Sequence, residues 1–308
     1  MIIVEGWLNS ISTNQNRGQI FSIHMVVVWS GLAMGQGLFV VDDPAGVNLF
    51  LLASILLSVS LIPVLLTKIE SPTIEDQESL SVRALWKASP SGVATIGISA
   101  MASAAFLGLG TIYAIKVGLS VPETALFMTL FVGFGAVFQW PLGWLSDKID
   151  RRKVIILCCV SVITICTVLH LFEFSTLTFL VLSGLIGGST LPLYALGVAQ
   201  ANDRLEPKQM ISASGTIVLV YGVFAAFGPF TMSYFLDVFN EMGFLLYLSL
   251  IHLAIALIVL FMMFIHQDVE ESDQSQFQIM AHRPTAVAME VIAEEAIESA
   301  ETEEGGSV

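Results

Sequence analysis

Charge is scarce in this chain, and that scarcity is the first limit on what the protein is. Only 12% of its 308 residues are charged while 55% are hydrophobic, far too little polar surface for a soluble domain to cover its apolar side chains. His24, Lys116, Glu123, His170 and Glu173 fall near the ends of apolar runs, where snorkelling explains them, and only His252 lies well inside one. A lone histidine at such a place is more often packed and neutral than a proton relay. Cysteine is equally sparse: Cys158, Cys159 and Cys166 share one run, have neither metal-ligand spacing nor a disulfide partner, and read as small apolar residues. No nucleophile with an attendant base, no zinc spacing and no phosphate-cradling glycine loop occurs. These absences argue against an enzyme, a bound metal or other cofactor, and a pump driven by its own ATP hydrolysis. The start also lacks a positively charged leader followed by an apolar core.

What the chain does have is long apolar runs, each near the roughly 20 residues that carry a helix across the hydrocarbon. Eight such spans are expected, at 21–41, 47–67, 92–115, 123–143, 154–172, 176–199, 211–236 and 243–265. All are expected to be helices, because a backbone in lipid must satisfy its own hydrogen bonds. With both termini cytoplasmic, the inner side collects Arg17, Lys68, Arg83, Lys87, Lys148, Arg151, Arg152, Lys153, Arg204, Lys208 and Arg283, and only Lys116 lies outside. That is the positive-inside distribution, and an error of one span would destroy it.

The net charge of −14 says little about partners, since eleven of the 26 acids lie beyond residue 267, from Asp268 to Glu304. This acidic tail, 267–308, is expected to be solvated and disordered, a cytoplasmic end without a specific role, the alternative being a docking or regulatory segment. No nucleic-acid partner is expected.

Between two of the apolar runs stand Gly143, Trp144, Leu145, Ser146, Asp147, Lys148, Ile149, Asp150, Arg151 and Arg152. This segment resembles the cytoplasmic loop signature of the major facilitator superfamily, G-x-L-[SA]-D-[RK]-x-[GD]-R-[RK], and its position at the cytoplasmic edge of two spans is the context that gives such a motif meaning. A second stretch, Glu5 to Asn9 followed by Asn16, Arg17, Gly18 and Gln19, resembles the junction of the fourth and fifth helices in a poorly characterised bacterial inner-membrane subgroup. Gly6 and Gln19 depart from that pattern. In this register the chain corresponds to helices five to twelve of a twelve-helix transporter, with helices expected upstream of Met1.

The resemblance implies an all-α, polytopic, major-facilitator-like bundle of about eight transmembrane helices. A cytoplasmic segment covers 1–20, the last two helices of an N-terminal half cover 21–67, and a cytoplasmic linker covers 68–91. A six-helix C-terminal half follows over 92–266. Within the linker, Leu80, Ala84, Leu85 and Trp86 are expected to lie on the membrane interface while Arg83 and Lys87 face phosphates. The resemblance further implies secondary transport of a small-molecule solute by alternating access in a bacterial inner membrane, with room for a coupling ion and with the transporter incomplete in the chain as given. The alternative is a non-transporting membrane protein, either a remnant or a partner of other membrane proteins. Self-association is the natural way for an incomplete set of helices to cover its exposed side.

Site residues follow from the same resemblance. Asp147 is expected to latch onto free amides at the start of the first span, near Arg17 and Gly18, with Arg151 and Arg152 holding the acid by charge-assisted hydrogen bonds and Gly143 allowing close approach. The competing explanation, anchoring to anionic lipid, fits Arg152 and Lys153 but not Asp147. Leu145, Lys148 and Asp150 complete the signature. Ser103, Tyr113, Thr129, Thr190, Tyr194 and Tyr221, with His252, are candidates to line a solute cavity, Tyr113 being the one best suited to an interfacial aromatic belt. Glycines at 31, 35, 37, 184, 187, 188, 215 and 222 mark close approach or bending, and Gly228 with Pro229 marks a flexible point late in its helix.

Overall fold

The computed structural model describes residues 46–66, 80–205, 207–265 and 277, with scattered positions between 23 and 42. Of the expected first span only scattered positions are described, and the Arg17–Gly18 segment, linker residues 68–79 and the tail apart from Phe277 lie outside the described residues.

The described elements are helices: α1 (Asn48–Leu66), α2 (Val82–Ala88), α3 (Pro90–Lys116), α4 (Val121–Ser146), α5 (Arg151–Leu171), α6 (Thr176–Thr190), α7 (Pro192–Asn202), α8 (Pro207–Phe239) and α9 (Glu241–Ile265). With α6 and α7 taken as one span, six of the described helices are long and apolar enough to cross a membrane. They coincide with the last six expected spans. The second expected span, 47–67, corresponds to α1, whose residues are exposed along nearly its whole length.

Local chemistry sets the ends. Glu123 reaches back to accept from the Ser120 N–H at 2.8 Å and from its hydroxyl at 2.6 Å, opening α4. Ser175 accepts from the Thr178 N–H at 3.3 Å to open α6. Pro90 and Pro192 sit in the first turns of α3 and α7, where a missing N–H costs nothing. Pro192 also explains why one expected span is two helices meeting at Leu191, since the proline cannot donate back to Gly188. Asn240, at φ 52°, turns α8 into α9.

α3 packs against α7, α8 and α9, α4 against α6, and α5 against α9 and α6. Every residue of α7 is buried, making it the axis of the bundle. Close approach runs through glycine at two points: a Cβ on Gly187 would strike the Phe131 carbonyl, and one on Gly228 the Met101 carbonyl. Gly228 and Pro229 thus mark where α8 presses on α3 within an unbroken helix. Glycines 31, 35, 37, 215 and 222 have open space where a side chain would be.

The core has a closed end and a divided end. Far from the signature, Phe106 stacks on Phe131 at 3.5 Å and Tyr113 on Phe244 at 4.1 Å, within a cluster drawn from α3, α4, α5, α6, α8 and α9. Tyr113 is only 3% exposed, so it is a core residue rather than part of an interfacial belt. At the signature end the apolar contacts split into two wings: α2, α3, α7 and α8 around Ile96 and Val198, and α5, α7 and α9 around Ile155 and Leu196. α2 belongs to the first wing. Leu85 is fully buried in it and the Leu80 N–H donates to the Ser212 carbonyl at 2.8 Å, so Leu85 faces protein rather than the membrane interface, while Trp86 stays exposed.

Candidate functional site

The signature straddles two helices more tightly than its sequence suggests. α4 continues through Gly143 to Ser146, and α5 begins at Arg151, leaving a link of only four residues, 147–150. Asp150 is the N-cap of α5: its Oδ1 accepts from the Arg152 N–H at 2.9 Å. Its carboxylate also holds the Arg152 guanidinium, with Nε at 3.0 and 3.1 Å and an η nitrogen at 2.9 Å. Two arginines in the first turn of a helix oppose its dipole. The acids around them offset this.

Arg151 is the centre. Its side chain is fully buried, yet its Nε lies 2.7 Å from Asp203 and one η nitrogen lies 3.0 Å from both Asp147 and the Ser146 hydroxyl. Ser146 in turn donates to the Gly143 carbonyl at 2.8 Å, tying the cluster to the last turn of α4. Asp203 follows the C-terminus of α7 and is itself only 1% exposed at its side chain. One guanidinium therefore joins the end of α4, the start of α5 and the end of α7, which is how a buried cation is tolerated.

Asp147 is more open, its side chain 35% exposed. Desolvation pushes its carboxyl above the ordinary carboxylate value, against the lowering effects of Arg151 and of a hydrogen bond from the Phe277 N–H, while Asp203 pushes it further up. The Phe277 N–H reaches its two oxygens at 3.0 and 3.3 Å.

The expectation that both arginines hold Asp147 is corrected: Arg151 does, and Arg152 is bound to Asp150. Lipid anchoring does not account for Arg152, which is 3% exposed. It suits Lys153 and Lys148, both exposed, the latter with its ammonium 4.1 Å over the Trp144 ring. Asp203 was not singled out in the sequence. Its signal was available: an acid just past the end of a span, on the side of the membrane where the positive-inside count places the signature.

The cavity-lining candidates separate into three kinds. Ser103 and Thr129 donate to their own helices, at the Ser99 and Ala125 carbonyls, 2.9 and 2.8 Å away. Tyr194 and Tyr221 meet edge to face, centroids 5.0 Å apart, across α7 and α8. Thr190 and His252 form a buried pair: the histidine Nε2 lies 3.1 Å from the Thr190 hydroxyl and Nδ1 lies 2.7 Å from the Leu248 carbonyl. A carbonyl only accepts, so Nδ1 carries a proton, and with a neutral ring Nε2 accepts from the threonine, joining α6 to α9. Among the described residues no cluster of histidine, cysteine or acid has the makings of a metal site, and the three cysteines are buried thiols.

Comparison with known proteins agrees with this architecture. The family model described as Major Facilitator Superfamily matches residues 92–296. Among similar proteins are the uncharacterised MFS-type transporters YcaD of Escherichia fergusonii, 24% identical over 233 residues, 74% of this chain and 59% of the relative, and of Salmonella arizonae, 26% identical over 232 residues with the same two shares. The YcaD protein of Escherichia coli O139:H28 is 26% identical over 230 residues, again 74% and 59%. The chain thus spans about three-fifths of the length of the curated relatives it matches. No solved structure matches. With membrane-length helices, a full loop signature and a family model covering the signature and nearly all of the six described spans, this chain belongs to the major facilitator superfamily and is a multi-pass membrane protein.

Proposed function

We propose that the chain takes part in secondary transport of a small solute by alternating access, with the loop signature on the cytoplasmic side and both termini cytoplasmic. The observation that carries this reading is Arg151, fully buried between Asp147 and Asp203. A buried cation bridging three helix ends makes the signature end of the bundle move as one rigid piece, as a rocking half must. Asp147 keeps an exposed edge, leaving an acceptor directed to a partner outside the bundle, and the start of the first span near Arg17 and Gly18 is the proposed one. The neutral Thr190–His252 pair and the Tyr194–Tyr221 contact support a polar, uncharged path for the solute between α6, α7, α8 and α9, without a charge relay in these spans. Membership of the superfamily favours transport over a purely structural or partner-binding role, and over an enzyme.

The test is flux into proteoliposomes carrying the chain, over a panel of neutral and amphipathic solutes, with Arg151→Ala alongside. Saturable uptake lost in that variant is expected. Flux equal to that of protein-free liposomes for every solute would overturn the reading. Topology is tested separately: thiols introduced by Lys153→Cys and Asn240→Cys should react with an impermeant reagent from the cytoplasmic and the opposite side respectively.

A further inference from the structure

From the placement of Phe277 we infer that the signature end contains a docking slot for the chain's own C-terminal segment, with Phe277 as the wedge and Asp147 as its anchor. Phe277 lies twelve residues beyond the end of α9, and its ring packs against both wings of the divided core at once. The slot is cut by Gly143: a Cβ there would fall into the Phe277 ring. Backbone completes the fit, because the Phe277 N–H bridges both oxygens of Asp147. An apolar ring in a glycine notch and a main-chain amide on a carboxylate are two independent contacts that fix one residue in one place.

The charge of the same segment is complementary to that of the signature. Asp268, Glu270, Glu271 and Asp273 precede Phe277 in the sequence, and Lys148 and Lys153 of the signature region are exposed. The Phe277 N–H donates to both oxygens of Asp147, the carboxylate assigned above to the latch. Tail and latch then compete for one carboxylate, and a docked tail holds the signature end apart from its partner. The docking stands on these contacts alone, and the effect on flux rests on the transport reading.

Amide hydrogen exchange on the full chain in nanodiscs separates the two. The Phe277 amide should exchange about tenfold more slowly than an unstructured amide, and Phe277→Ala and Gly143→Leu, which empty and fill the notch, should each remove the protection. Gly143→Leu also serves where deletion of the ring has a wider effect. A Phe277 amide that exchanges at the unstructured rate, or that stays protected in both variants, overturns the docking. In proteoliposomes Phe277→Ala should raise the initial rate, by up to about the same tenfold factor, since a docked fraction of the time is lost to transport. Saturable flux unchanged by Phe277→Ala overturns the competition. Protection that both variants abolish, with no flux from any chain, confirms the slot and removes the transport reading instead.

Discussion

Arg151 and Asp203 offer the sharpest test of how the signature end is held together. Both side chains are within 1% of full burial and their polar atoms are 2.7 Å apart, so deleting either partner strands a charge away from water. Removing one member of a buried pair costs about 3–5 kcal/mol. Asp203→Leu should fall near the lower limit, because Arg151 keeps Asp147 and the Ser146 hydroxyl, each 3.0 Å away. Arg151→Leu should fall near the upper limit, since it strands Asp203 completely and Asp147 in part. The double variant leaves no charge of the pair to desolvate, so its cost should be smaller than that of either single change, about 0–2 kcal/mol. Unfolding of the full chain in mixed micelles with rising fractions of denaturing detergent measures all four corners of the cycle. Single costs that simply add, to within about 0.5 kcal/mol, would show that the two side chains do not support one another and refute the bridging role of Arg151.

Other outcomes follow from individual contacts. Asp147 has a folded-state carboxyl raised above its usual 3.8 by desolvation, so the folded state binds its proton more readily than the unfolded chain does; the stability difference between the parent and Asp147→Asn should fall as pH rises from the usual carboxylate value to the raised one, and a rise would contradict the assignment. Gly187→Ala and Gly228→Ala place a methyl against the carbonyls of Phe131 and Met101 and should each lower stability by about 1–3 kcal/mol. Gly215→Ala and Gly222→Ala meet nothing and should be neutral or raise stability by up to about 1 kcal/mol in the same unfolding assay. Thr190→Val removes the donor to a fully buried His252 and should cost about 1–3 kcal/mol, while Thr190→Ser should cost far less.

The sequence by itself determined the class, the side of the membrane proposed for each loop, and the motif. Apolar runs of membrane length and an eleven-to-one division of basic residues need no tertiary information, because a bilayer constrains each helix and each loop one at a time. The same runs located the last six spans to within a few residues, and the break at Pro192 could be read from the chemistry of proline. Partners were not legible. Nothing in the sequence distinguishes Arg151, which bridges three helix ends, from Arg152, which closes on its own N-cap, since the difference is which way each faces when α5 meets α7. Asp203 lies 52 residues from Arg151, Thr190 lies 62 from His252 and Phe277 lies 130 from Asp147. In an all-apolar span nearly every face looks alike to a period of 3.6 residues, so hydropathy fixes depth in the membrane and leaves rotation about the helix axis free. Rotation is set by packing. It was the close approach of helices at glycine and the desolvation of a few charges at the signature end that decided which side chains meet.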